Sequence, residues 1–185
     1  MRRAFRILRV GAVLIALAGV LTRPGDDAQG VPDTAACPGS GTMPSPAAIQ
    51  ATREAVICLL NAERAKHGLL PLRHHPLLEL ASQRHSDDMA RRKFFEHDTP
   101  DGVDPQERMT AVGYRPPWTG ENLYAGTDTE ATPVRALDGW MNSPGHRANI
   151  LRPEFTEVGV GVAYSYPRAG AEGRAAVYTT DFGGS

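Results

Sequence analysis

From Ser45 onward, apolar residues recur first at helical and then at alternating spacing. Ser45 followed by Pro46 reads as a helix start, a capping side chain with proline in the first helical position. That helix is predicted to run to His67-Gly68, where glycine closes it. Ala55, Val56, Leu59, Leu60 and Ala62 make its apolar face. A second helix follows His75-Pro76, with Leu78, Ala81, His85 and Met89 along one stripe, and a third, shorter one runs from Asp104-Pro105 toward Val112-Gly113. Thr132-Pro133 opens a fourth that carries Leu137 and Trp140, and Ser143-Pro144 is read as breaking it. Strand patterns gather near the C-terminus. Val158, Val160 and Val162 alternate with Gly159, Gly161 and Ala163, so one face is branched and the other nearly bare, which invites close approach by another element. A second strand spans Ala176 to Phe182 beyond a turn containing Gly170 and Gly173, and a short one is predicted from Asn122 to Ala125. Helices first and strands later imply an α+β domain with helices layered on an antiparallel sheet.

The N-terminus follows a different pattern. Arg2, Arg3, Arg6 and Arg9 precede an uncharged apolar run from Val10 to Leu21, the layout of a secretory signal. The run is shorter than the roughly 20 apolar residues of a permanent span, so removal of residues 1–28 is favoured over retention as a tilted anchor, with the cleavage point open. Membrane contact is expected only through this signal or anchor. Residues 29–45, rich in Gly, Pro, Asp and Ala without periodicity, read as a disordered linker. Residues 46–185 then form a single domain, about 140 residues being enough for one real core. A formal net charge of -1 with interspersed signs gives no basic stripe, so no nucleic-acid partner is expected. The cysteines, Cys37 and Cys58, read as a disulfide in an oxidising compartment; the alternative is a small core residue at Cys58 and a free thiol at Cys37.

Candidate chemistry lies in three punctuated segments, Phe94 to Gly102 (FFEHDTPDG), Gly120 to Leu123 (GENL) and Ser143 to Arg147 (SPGHR). All three are read as loops, where sites are commonly built. Two imidazoles and a carboxylate could form a catalytic-type divalent metal site with one position left for water. Equally, they could be a proton-handling or hydrogen-bonding cluster in a cleft.

The segments FFEHDTPDG, GENLYAG, WMNSPGHRANIL and YTTDFG, in this order and preceded by Leu60-Asn61-Ala62-Glu63-Arg64, resemble the bacterial branch of the CAP superfamily, named for cysteine-rich secretory proteins, antigen five and pathogenesis-related proteins. The resemblance covers about Ala55 to Gly183. It implies a three-layer α-β-α sandwich with a central antiparallel sheet, and a shallow cleft of two histidines and two acids. His97, Glu121 and His146 match the two histidines and one acid. Where eukaryotic members carry the second acid, this chain has Ser143. Asp98 or Asp101 could supply it from the adjacent loop, and Arg147 could orient an anionic ligand or simply form a surface salt bridge.

The remaining candidates have plainer readings. His85 reads as a satisfied core histidine and His74-His75 as an exposed pair. Trp118 and Trp140 read as core or cleft wall, and Glu63 and Arg64 as bridges to neighbouring loops. No Ser, Cys or Lys occupies a nucleophile motif, so a vigorous enzyme is not expected. The leading expectation is an exported, envelope-facing or extracellular CAP-domain protein whose His/Glu cleft binds a small ligand, a lipid or envelope component, or a divalent cation such as zinc. The alternatives are a metal-assisted hydrolase of peptide or envelope polymer and a non-catalytic interaction module.

Overall fold

The computed structural model describes residues 37–169 and 174–185. The expected signal over 1–28, residues 29–36 of the linker and the turn at Gly170 to Gly173 lie outside the described residues. Helix α1 (Ile49–Lys66) follows a short 3-10 turn at Pro46–Ala48, and Ser45 makes no side-chain cap bond to it. Helices α2 (Pro76–Arg92), α3 (Pro105–Ala111) and α4 (Pro133–Met141) begin on the predicted prolines, whose missing N–H is one that a helix start leaves unbonded anyway. At α3, Asp104 and Glu107 form a reciprocal capping box at 2.7 and 3.1 Å.

One reading is corrected here. Ser143-Pro144 ends α4 but also starts a further helix, α5 (Pro144–Ile150), so His146 and Arg147 are helical rather than in a loop. The same proline that cannot continue one helix is preorganised to begin the next.

Four strands form one sheet in the order β1-β3-β4-β2: β1 (Arg73–His74), β2 (Trp118–Thr127), β3 (Glu157–Ala163) and β4 (Ala175–Gly184). The three long strands are antiparallel as expected, whereas the two-residue β1 pairs parallel to β3, making the sheet mixed. Strand β2 is much longer than Asn122 to Ala125 and contains Glu121, which is therefore a strand residue and not a loop residue. It lies at a sheet edge.

The sheet is covered on both faces. Val158, Val160 and Val162 pack with Tyr178 and Phe182 against Val56, Leu59 and Leu60 of α1, Leu137 and Trp140 of α4 and Ile150 of α5. The bare face of β3 lies under α2: a Cβ on Gly159 would fall 2.0 Å from the Glu79 backbone nitrogen, and one on Gly161 2.2 Å from the Ser82 carbonyl oxygen. The glycines thus let a helix backbone sit directly on the sheet.

Two fastenings complete the domain. Cys37 and Cys58 are joined as a disulfide. Cys37 is buried and the Val134 amide donates to the Ser40 carbonyl at 2.9 Å, so residues 37–45, expected in the linker, are turned down onto the domain. Arg64, 1 % exposed, donates to the carbonyls of Leu70, Ile150, Arg152 and Phe155 at 2.8 to 2.9 Å. The expected bridging role of Arg64 is thereby seen atom by atom.

Candidate functional site

Consecutive strand residues point to opposite faces, and the Glu121-Asn122 pair on edge strand β2 uses both. The Glu121 side chain, 2 % exposed, takes a hydrogen bond from His97 Nδ1 at 2.7 Å on one oxygen and from Arg108 at 2.6 Å on the other. Arg108, one turn into α3, also donates to the His97 carbonyl at 2.8 Å and to the Val103 carbonyl at 3.0 Å, fixing the loop that carries the histidine. On the other face Asn122, fully buried, donates to the His146 carbonyl at 3.0 Å and accepts from Asn149 at 2.9 Å. Asn149 also donates to the Glu121 carbonyl at 3.2 Å. Two adjacent residues of one strand therefore hold the His97 loop and helix α5 on either side of the sheet edge.

The electrostatics separate the two histidines. The hydrogen bond to Glu121 raises the His97 pKa, burial opposing it. Burial lowers the His146 pKa, and the charge of nearby His97 lowers it further. Burial alone would push Glu121 up, but His97 and Arg108 more than reverse this and hold it below the usual carboxylate range. The site thus sets a histidine biased toward its charged form by a carboxylate beside one biased toward its neutral form.

A match to the cysteine-rich secretory protein family, CAP, spans residues 58–180. This chain belongs to the CAP family. It is 38% identical over 124 residues to "Uncharacterized protein YkwD" of Bacillus subtilis (strain 168), covering 67% of this chain and 47% of that protein. It is also 36% identical over 121 residues to "Uncharacterized membrane protein YlbC" of the same organism, covering 64% and 34%. The chain thus spans about half or less of these relatives' length. Among solved structures, it resembles an extracellular protein containing a SCP domain from Bacillus anthracis str. Ames, with TM-score 0.64, 27% identity, and 77% and 44% of the two chains covered. A cysteine-rich secretory protein from Staphylococcus aureus subsp. aureus Mu50 shares the fold at TM-score 0.55 and 19% identity, with 75% and 40% covered. The α+β architecture of this CAP domain matches theirs.

The other candidates in the CAP domain sort clearly. Asp98 is exposed and acts on His97 only through its charge, and Asp101 pairs with Arg92 across the surface at 2.5 Å. Neither enters the Glu121 cluster. Ser143 is the half-buried residue before α5, without a side-chain cap bond. Arg147 is exposed and reaches His67 at 3.3 Å. His85 is buried as expected, its Nε2 bonded to the Glu96 carbonyl at 3.1 Å and its Nδ1 without a partner. Trp140 is core, donating to the Leu123 carbonyl at 2.9 Å, whereas Trp118 is 42% exposed beneath the Arg152 guanidinium. Arg84, His85, Asp88, Thr99 and Arg108 line an open concavity of about 360 Å³ that includes neither His97 nor Glu121. A larger concavity of about 430 Å³, lined by Lys93, Tyr164, Tyr166 and Arg174, involves none of the cleft side chains.

The implied cation does not fit these residues. Among the described residues no three His, Cys, Asp or Glu side chains are grouped to hold a metal ion. The physical reason is visible at Glu121, whose two oxygens already face a guanidinium and an imidazole. Arg108 was not legible as a site residue, since one arginine in a short helix carries no spacing signal. Asn122 lies within the GEN segment already singled out.

Proposed function

We propose that this is an exported CAP-domain protein, working at the cell envelope or outside the cell, whose cleft at His97, Glu121 and His146 binds a small ligand through a hydrogen-bond acceptor such as a carboxylate or phosphate. The observation that carries this reading is the 2.7 Å bond between His97 and Glu121. It commits Nδ1 to the protein and leaves Nε2 as the remaining polar atom of a half-exposed ring, a charge-assisted donor for an incoming acceptor. His146, whose neutral form is favoured by burial, adds a donor or acceptor nearby. The disulfide supports export, because such bonds persist in oxidising compartments, and the similar Bacillus anthracis protein is described as extracellular. The metal-assisted hydrolase is less well supported, because Arg108 and His97 compete with any cation for Glu121.

The test follows the His97 and His146 imidazole resonances while short-chain phospholipids, peptides and cell-wall fragments are titrated in. A binder should perturb both, and its affinity should fall about tenfold or more in His97→Ala, the loss of one charge-assisted hydrogen bond. Binding unchanged in both His97→Ala and His146→Ala would place the ligand elsewhere. Calorimetry with zinc at pH 7.5 and 5.5 addresses the cation: stoichiometric binding at about pH 7.5, lost in both variants and weakened at about pH 5.5 as imidazoles protonate, would replace this reading with the metal one.

A further inference from the structure

The family resemblance left the cleft one acid short, and neither exposed aspartate of the 97–101 loop fills the place. A carboxyl group does reach Glu121 from beneath. Asp181 lies on β4 directly opposite Glu121 on β2 in the antiparallel register, and side chains so paired share one face of the sheet. We propose that Asp181 supports the cleft from beneath, a positioning residue that stands as a neutral carboxylic acid under Glu121 and donates a hydrogen bond to its carboxylate.

The geometry argues for the proton. Asp181 is 1% exposed, and its Oδ2 accepts from the Ser82 hydroxyl at 2.9 Å. Its Oδ1 is buried with no donor, an arrangement expensive for a carboxylate and resolved if that oxygen itself carries the hydrogen. The one positive charge that favours its ionised form, that of Arg108, is outweighed by burial and by the Glu121 carboxylate. From α2 come Ser82, whose hydroxyl also reaches the Gly159 carbonyl at 3.2 Å, and His85, bonded through Nε2 to a backbone carbonyl. From β2 comes the Glu121 carboxylate, and β3 contributes the Gly159 backbone opposite Asp181. From α3 comes Arg108, whose terminal nitrogens are engaged with Glu121 and the carbonyls of His97 and Val103. Burial, and then the Glu121 charge, push the Asp181 carboxyl well above its ordinary range. Two neighbouring acids are thereby sorted into different states, Glu121 ionised by its partners and Asp181 neutral by its surroundings.

The consequence is positional. His97 and Arg108 pull Glu121 from the solvent side, and a donor from the sheet floor would fix the carboxylate between them. The proposal borrows from the ligand-binding reading only the importance of His97; a carboxyl titration reports on Asp181 whether or not any ligand binds, so the two can fail separately.

The experiment is carbon-detected NMR of the full chain, following the Asp181 carboxyl from pH 4 to pH 8 alongside His97, in wild type, Asp181→Asn and Asp181→Ala. In wild type the Asp181 carboxyl should keep the chemical shift of a protonated acid at about pH 6, two units above the unperturbed value. Asparagine offers the same acceptor and an N–H donor, so Asp181→Asn should leave the His97 midpoint within about 0.3 pH unit of wild type, while alanine, which offers neither, should move it further. Because the native state alone keeps this proton above the unfolded pKa of about 3.9, the folding equilibrium of Asp181→Asn should gain on wild type by up to tenfold per pH unit from there until the native group ionises. A carboxylate shift for wild-type Asp181 at about pH 6, or a large fall of the His97 midpoint in Asp181→Asn as if a negative charge had been removed, would overturn the proposal. The wild-type titration decides the matter even if a variant does not fold.

Discussion

The two faces of the sheet are packed on opposite principles. Toward α1, α4 and α5 the contact is almost wholly apolar: Val158, Val160, Tyr178 and Phe182 meet Leu59, Leu60, Trp140 and Ile150, with Phe155 stacked on Phe182 at 5.5 Å. Toward α2 the apolar residues divide into two small clusters, around Leu78 and Met109 and around Met89 and Leu123. Along α2 between them lie Ser82, His85 and Ser86, facing Asp181, Glu121 and Thr179; the Ser86 hydroxyl donates to Thr179 at 2.8 Å. One face supplies cohesion through volume. The other brings a helix close enough for short side chains to bond, and the candidate site is built upon that polar stripe. A single sheet thus supports both a core and a site because its residues alternate between them.

The sharpest test asks each face to accept what suits the other. On the α2 face Gly159→Ala forces a methyl to within 2.0 Å of backbone, which rigid main chain cannot yield to. We expect a loss above about 4 kcal/mol, or failure to fold. On the opposite face the damaging change is removal: Leu60→Ala should destabilise by about 2–5 kcal/mol through lost burial and a cavity. Urea melts of both variants check the pair, and a Gly159→Ala protein of near-native stability would mean that α2 can lift from the sheet.

Removing the disulfide should have a smaller effect, about 3 kcal/mol in the chain-entropy model for the span from Cys37 to Cys58. It anchors the segment lying against the apolar face, so Cys37→Ser with Cys58→Ser should lower the melting temperature while leaving the His97 titration in place. If that titration also moves, the two faces are coupled more tightly than their separate packing implies.

The smallest effect is expected at the His97–Glu121 pair, where solvent screens a half-exposed ring: about 1 kcal/mol or less. Its pH dependence has a definite sign. His97 has a raised pKa, so its contribution is complete below its unfolded value near 6.5 and is lost as pH rises through the raised folded value. Glu121 has a lowered pKa, so its contribution is present above its unfolded value near 4.3 and is lost as pH falls through the lowered folded value. His97→Ala should therefore be less stable than wild type at about pH 5.5 and converge with it at about pH 9, measured by denaturant melts. A difference independent of pH would assign His97 a packing role.

Much of this architecture was legible because proline and glycine punctuate it. Pro76, Pro105 and Pro133 each open a helix where the sequence says they should, and the bare face of Gly159 and Gly161 announces a close neighbour. The same punctuation misled at Pro144, where one dipeptide both stops α4 and starts α5. The two-residue β1 is too short to leave a periodic trace. Within the site, His97 and Glu121 could be paired only through resemblance, since their segments are separated along the chain. Arg108 and Asp181 escaped notice because their roles depend on the β2–β4 register and the docking of α3, neither of which is encoded in a local pattern.

Arg64 has a consequence for how the molecule meets changes in acidity. Its guanidinium sits inside a ring of four backbone carbonyls, much as a potassium ion sits in a crown ether, with the host and guest supplied by the same chain. Lysine, with a single compact ammonium in place of a planar fork, cannot span those directions. Three of the carbonyls belong to the stretch from Ile150, the last residue of the helix that bears His146, to Phe155. Burial draws the guanidinium pKa down, yet an arginine starts so high that it keeps its proton over the range in which histidines switch. The imidazoles of the cleft can therefore gain and lose charge against a permanently charged keystone, and an acidic or neutral medium alters what the cleft offers without loosening the ring beside it.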